Sequence, residues 1–207
     1  MRNENSRRME INFNFSKEEK VELLKIARQA VAAVVSDQAY VPEKPKSRKL
    51  LEKAGAFVTL RERGELRGCI GYIEARLSVY ETVAETAAKA AVSDPRFEPV
   101  GEEELKDIEV EVSVLSPLMK VNDIEEIVVG RHGVLIENGF YRGLLLPQVA
   151  TENNWERDEF LQYTCMKAGL EKDCYKTSGT KIYIFTAEVF SEGELGIIPE
   201  AYIAKRT

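Results

Sequence analysis

Cys69 is the residue in this chain best suited to act as a nucleophile, and it sits in the run Leu66-Arg67-Gly68-Cys69-Ile70-Gly71. The thiolate is the reactive form of cysteine, and a neighbouring cation favours it. Arg67 stands two positions away, while Gly68 and Gly71 leave backbone amides open to an anion. A regular strand puts Arg67 and Cys69 on one face, and a β-bulge between them would not. The same cysteine also fits the alternative of a small buried side chain. The single imidazole of the chain, His132, lies in Gly130-Arg131-His132-Gly133. It can serve as a general base, orient a phosphate or cap a strand end through a hydrogen bond. Glu152 as the carboxylate that fixes His132 would complete a Cys-His-Glu set, because the base must reach the thiol and needs a third group to hold its tautomer. The three come from remote segments, so the set stands only if folding gathers them.

Further polar residues are candidates for ligand binding. The run Leu146 to Trp155 places Gln148, Glu152 and Trp155 between a strand and a helix, where they either wall a cleft or cap the helix and seal the core. Asp94 and Arg96 can pair across Pro95, and the pair either fixes a turn or lines a polar pocket with Arg67. Lys44, Lys46, Arg48 and Lys49 form a basic run near Tyr40. A nucleic-acid role is nevertheless disfavoured, since no strand face shows interleaved arginines and aromatics and the net charge is −6. Gly68 to Gly71 lacks the Gly-Lys-Ser/Thr of a P-loop, and Gly64 to Gly71 lacks dinucleotide-binding spacing.

The 207 residues, 44% hydrophobic and 31% charged, are enough for one large domain or one domain with a small lobe. Three cysteines without C-x-x-C spacing read as free thiols in a reducing compartment. One histidine leaves too few ligands for a His-rich metal site, and no cofactor motif is present. The first residues lack the apolar stretch of a signal peptide, and no apolar run is long enough to cross a bilayer. A cytoplasmic protein with no membrane partner is therefore expected.

The elements that must position these residues are legible in the spacing. Ser16 and Glu19 open a capping box for an amphipathic helix over 17–38. Strands at 56–60 and 66–72 form a hairpin whose second arm carries Cys69, and its glycines mark a bulge or a close approach of backbone or ligand. Ser78 and Glu81 open an Ala-rich helix that runs to Ala91 and ends before Asp94-Pro95. Alternation over 108–114 predicts a strand with one face in the core. Asn138-Gly139 joins two further antiparallel strands, a helix follows over 155–168 with Gly169 as its C-cap, and 181–190 reads as one late strand. An Arg-Gly pair recurs in the second arm of each hairpin, at Arg67-Gly68 and Arg142-Gly143. Hairpins interleaved with helices favour α+β over a doubly wound parallel sheet.

These segments together resemble the AMMECR domain family. The match runs through Leu66 to Gly71, Asp94-Pro95-Arg96-Phe97, Ser113 to Leu118, Gly130 to Gly133, Leu146 to Ala150, Trp155, Phe160-Leu161 and Lys167 to Leu170. The resemblance implies an extension over 1–15, a two-lobed domain over 16–192 and a tail over 193–207. It implies an antiparallel sheet with packed helices in a larger lobe, plus a smaller α/β lobe, with the hexapeptide around Cys69 near the cleft between them. It also implies association with a Memo-type protein and a radical S-adenosylmethionine protein. The expected function is an enzyme or small-ligand-binding component of a modification pathway, acting on a small molecule or a protein, with Arg67 as anion clamp. The alternative is a scaffold or protein-interaction module, RNA-associated in one version, without catalysis.

Overall fold

A computed structural model describes residues 13–197. The expected 1–15 extension lies outside the described residues up to position 12, and the expected tail does so from position 198. In chain order the elements are α1 (Lys17–Val35), β1 (Ala56–Glu62), β2 (Glu65–Tyr72), α2 (Val79–Val92), β3 (Ile108–Leu115), β4 (Met119–Val121), β5 (Gly133–Asn138), β6 (Tyr141–Leu145), α3 (Pro147–Glu152), α4 (Arg157–Lys167), β7 (Lys181–Phe185), β8 (Ala187–Ser191) and α5 (Glu192–Leu195). They divide into two compact units, residues 13–115 with 188–197 and residues 116–187. The α+β class, with packed helices on two sheets in two lobes, is as expected. No described helix is long and apolar enough to cross a membrane.

The larger unit is built on a sheet of order β2-β1-β3-β8, with β1 antiparallel to both β2 and β3. The Ser16 hydroxyl accepts from Glu19 N–H, and the Glu19 carboxylate accepts from Ser16 N–H at 2.7 Å, which closes the box that starts α1. From there Leu23, Leu24, Ala27 and Val31 point into the core, as do Val83, Ala87, Ala90 and Ala91 of α2. Against them lie Val58 and Leu60 of β1 and Val110, Val112 and Val114 of β3. Alternation therefore turns Thr59, Glu111 and Ser113 to the sheet's other face. The late strand expected over 181–190 is two strands, since β7 and β8 belong to different sheets. Between them Thr186 N–H donates to Ser116 Oγ and its carbonyl accepts from Ser116 N–H, so the break is made by a distant residue that local alternation does not report.

The smaller unit carries a sheet of order β4-β7-β5-β6, packed by α4. Phe160 and Leu161 of α4 are fully buried with Val134 and Ile136 of β5 and Ile184 of β7. Gly139 rather than Asn138 is the first central residue of the β5–β6 turn, at φ 59°, a place that suits glycine in a two-residue hairpin loop. Pro147 begins α3 where a loop was expected, because a first helical residue needs no N–H partner. The expectation of three free thiols fails here. Cys165 of α4 and Cys174 form a disulfide with Cα atoms 5.8 Å apart, after Gly169 at φ 76° has turned the chain back.

Candidate functional site

In the larger unit β2 is an edge strand, and Thr59 of β1 stands opposite Cys69 on one side and Glu111 of β3 on the other. Cys69, Thr59 and Glu111 thus form a row across three strands on the face turned away from α1 and α2. The Thr59 hydroxyl donates to Cys69 Sγ at 3.3 Å. Ser113, two residues beyond Glu111 on that face, is 1% exposed, and its hydroxyl has no hydrogen-bond partner among the described residues. Arg61 Nε lies 3.9 Å from Glu111.

Asp94 and Arg96 grip the backbone of Cys69 from the open side of β2. Asp94 is 5% exposed. Its Oδ2 accepts from Cys69 N–H at 2.8 Å and from Arg96 Nη2 at 2.7 Å, and its Oδ1 accepts from Arg96 Nε at 2.9 Å and Arg96 N–H at 3.1 Å. Arg96 Nη2 also donates to the Cys69 carbonyl at 3.4 Å. The Arg96 guanidinium, helped by these amides, holds the Asp94 carboxyl well below the usual carboxylate range. Burial pushes the Cys69 thiol up, the Thr59 hydroxyl and Arg96 offset part of that rise, and Asp94 and Glu111 add to it. The resting sulfur is therefore a protonated thiol rather than the activated thiolate that the sequence invited.

Arg67 does not stand beside that thiol. The β1–β2 register passes from Leu60 opposite Gly68 to Arg61 opposite Leu66, so Arg67 is the extra residue of a bulge and leaves the face of Cys69. Its Nε and Nη2 donate to Glu104 at 2.7 and 3.1 Å, and its Nη1 and Nη2 donate to the carbonyls of Glu98 and Pro99. The expected anion clamp is a brace for the 98–104 segment, and Arg96 supplies the cation near sulfur. The glycines serve packing as well: a Cβ at Gly68 would overlap the Ala90 carbonyl of α2, and one at Gly71 would overlap the Phe57 ring. The close approach signalled by Gly68 is that of a helix rather than of a ligand.

The smaller unit gathers the remaining candidates. His132 Nδ1 accepts from Val128 N–H at 3.1 Å, and His132 N–H donates to the Val128 carbonyl at 2.9 Å. The neutral ring then carries its proton on Nε2, and burial together with Arg131 keeps its pKa below the ordinary imidazole value. As placed, His132 is a hydrogen-bond donor, and acting as a base at Nδ1 would break the turn. Glu152, exposed at the end of α3, makes no hydrogen bond to it, so the expected orienting carboxylate is replaced by a backbone amide. The turn meets α3 where Gly130 lies against Thr151. Trp155 stacks on Tyr163 with ring centroids 4.0 Å apart, and it shares a groove of about 490 Å³ with Ile127, Val128, Val129, Glu156 and Arg157. Gln148 Oε1 is buried without a hydrogen-bond partner among the described residues. No three His, Cys, Asp or Glu side chains among the described residues cluster as a metal site.

The candidates thus fall in two places: Arg67, Gly68, Cys69, Gly71, Asp94 and Arg96 in one unit, and His132, Gln148, Glu152 and Trp155 in the other. Thr59, Glu111 and Ser113 were not anticipated as site residues. Their signal was present, since a hydroxyl interrupts the apolar run Ala56–Leu60 and the polar alternates of 108–114 name Glu111 and Ser113. The spacing gave no reason to align them with Cys69.

A family model described as AMMECR1 matches residues 24–190. Protein MK0488 of Methanopyrus kandleri is 40% identical over 193 residues, which are 89% of this chain and 91% of that protein. Protein TK0174 of Thermococcus kodakarensis is 46% identical over 181 residues, 82% of this chain and 88% of its own. The crystal structure of uncharacterized protein PH0010 from Pyrococcus horikoshii is similar with a TM-score of 0.78 at 42% identity, covering 82% of this chain and 89% of that one.

Proposed function

Taking as premise that the chain belongs to the AMMECR1 family, we propose that it is a ligand-binding or catalytic component of a modification pathway whose working group is the Cys69 thiol. The observation that carries this reading is the surroundings of that sulfur. A cysteine kept only for packing sits among apolar side chains. Cys69 is half-buried in a polar setting, with a hydroxyl on its sulfur, a carboxylate on its N–H and a guanidinium on its carbonyl. A thiol held protonated attacks an electrophile when its proton is taken as the bond forms, so the step depends on a group brought by the substrate or partner. The substrate is a small molecule or a protein, and the partners are a Memo-type protein and a radical S-adenosylmethionine protein. Alkylation of the folded protein by iodoacetamide, followed from neutral to alkaline pH with Cys69→Ser as control, tests the reading. Steady labelling of Cys69 that rises with pH is expected, and a thiol inert throughout that range would remove the nucleophile role.

A scaffold is the second reading, favoured by the structural duties of His132 in its turn and of Trp155 against Tyr163. Binding of a Memo-type protein with equal affinity by wild type, Cys69→Ser and His132→Ala would favour it over the first.

A further inference from the structure

In an antiparallel pair, residues directly opposite alternate between those that exchange backbone hydrogen bonds and those whose N–H and C=O point away from each other. Cys69 and Thr59 are opposite each other, and both backbone groups of Cys69 are engaged on the far side, by Asp94 and Arg96. They are therefore a non-hydrogen-bonded pair, the kind in which side chains come closest, and the Thr59 hydroxyl duly reaches the sulfur. On an edge strand those outward groups would otherwise face water or another chain. One carboxylate and one guanidinium take the acceptor and donor places that a neighbouring strand would fill.

We propose that Asp94 and Arg96 are a positioning pair for Cys69, standing in for the strand that β2 lacks and thereby fixing both the direction and the charge environment of its thiol. The inference rests on the reading of Cys69 as the working group and adds the device that sets it. Three features of the pair fit this role better than turn-making alone. Asp94 is almost out of water, although a carboxylate that only caps a turn can stay exposed. Among the described residues, the hydrogen bonds to its carboxylate come from two residues, Cys69 and Arg96. Arg96 is held on its open side by the Phe97 ring, 5.4 Å from the guanidinium carbon. Within this unit the charged groups that act on the sulfur are Asp94 and Arg96 after α2 and Glu111 on β3, with Arg61 of β1 beside Glu111 and Thr59 as the neutral donor.

The two members of the pair act on the thiolate with opposite sign, and this separates a positioning role from simple support of the fold. Asp94→Asn removes the nearer anion and keeps an acceptor for Cys69 N–H. Its pH profile for iodoacetamide labelling of Cys69 is expected to move to lower pH, with a rate gain of about three- to tenfold below the inflection. Arg96→Gln is expected to move the profile to higher pH with a loss of about the same factor, and Arg96→Lys, which keeps the charge but not the fork that grips both Asp94 oxygens, to fall between Arg96→Gln and wild type. A pair that merely held the loop would loosen β2 in either variant, so both would label faster with an unmoved inflection. That result, or shifts of one sign in both, overturns the proposal. Should Asp94→Asn fail to fold by circular dichroism, the contrast between Arg96→Gln and Arg96→Lys decides alone, since the Arg96 side chain is 50% exposed and its replacement leaves little buried surface unfilled. A native Cys69 that never labels would contradict the reading of the thiol itself, whereas profiles that fail to separate would contradict only the pair.

Discussion

His132 shows at the scale of one residue how local bonding redirects chemistry. Its Nδ1 accepts from Val128 N–H, and burial keeps the ring neutral to lower pH than a free imidazole. The unfolded chain thus takes up this proton before the folded one does. The stabilisation is complete above the ordinary imidazole pKa and is lost as pH falls below it toward the folded value. Denaturation midpoints measured from neutral into mildly acidic pH should fall more steeply for wild type than for His132→Ala, which starts lower by about 0.5–1.5 kcal/mol for the lost hydrogen bond. Equal slopes would contradict this placement of the ring. Residue types in the sequence named Cys69, Asp94, Arg96 and His132 as polar centres and paired Asp94 with Arg96, but they misassigned the partners of Cys69 and His132. The reason is physical: a bulge at Arg67 exchanges one arginine for another beside the sulfur, and spacing alone does not locate bulges.

Among the elements, the two Arg-Gly pairs have one explanation within their separate units. The second strand of each hairpin lies under a helix whose backbone comes too near for a side chain, at Ala90 over Gly68 and at Thr164 and Ala168 over Gly143. Gly68→Ala and Gly143→Ala should each cost about 1–3 kcal/mol in urea unfolding through overpacking. Gly101→Ala, where a Cβ meets only the Glu104 carboxylate at 3.5 Å, should stay within about 0.5 kcal/mol of wild type. If Gly68→Ala were equally silent, the close approach of α2 would be wrong. Helices and strands with strong periodicity were readable, as α1, α2 and β3 show. The boundaries that escaped were set by tertiary contacts: Thr186 passes between sheets without breaking alternation, and α3 begins on a proline that also reads as a loop.

Over the whole molecule, long-range pairings decide what local pattern leaves open. Arg28 sits on the apolar spacing of α1, yet it is fully buried, bonded to Glu192 across 164 positions and to the carbonyls of Leu105 and Ile108. Glu192 also accepts from Val110 N–H, so α1, β3 and α5 meet at one satisfied ion pair. Glu192→Ala, which leaves the guanidinium uncompensated, should cost about 3–5 kcal/mol, and a change under about 1 kcal/mol would refute the pairing. No helical or strand pattern in the sequence marks Glu192. The Cys165–Cys174 bond was equally hidden, since its spacing matches no motif and its closure depends on the turn at Gly169. By loop-closure entropy it should contribute roughly 2–3 kcal/mol to the smaller unit. One thiol, Cys69, is free and reachable while the other two sulfurs are bonded to each other. Mass spectrometry of the folded protein after iodoacetamide treatment, with peptide mapping, measures this directly. One label at Cys69 before reduction, and labels on all three cysteines after reduction and unfolding, is the predicted result; an unlabelled Cys69 in the folded protein, or labels on Cys165 and Cys174 without reduction, would contradict it.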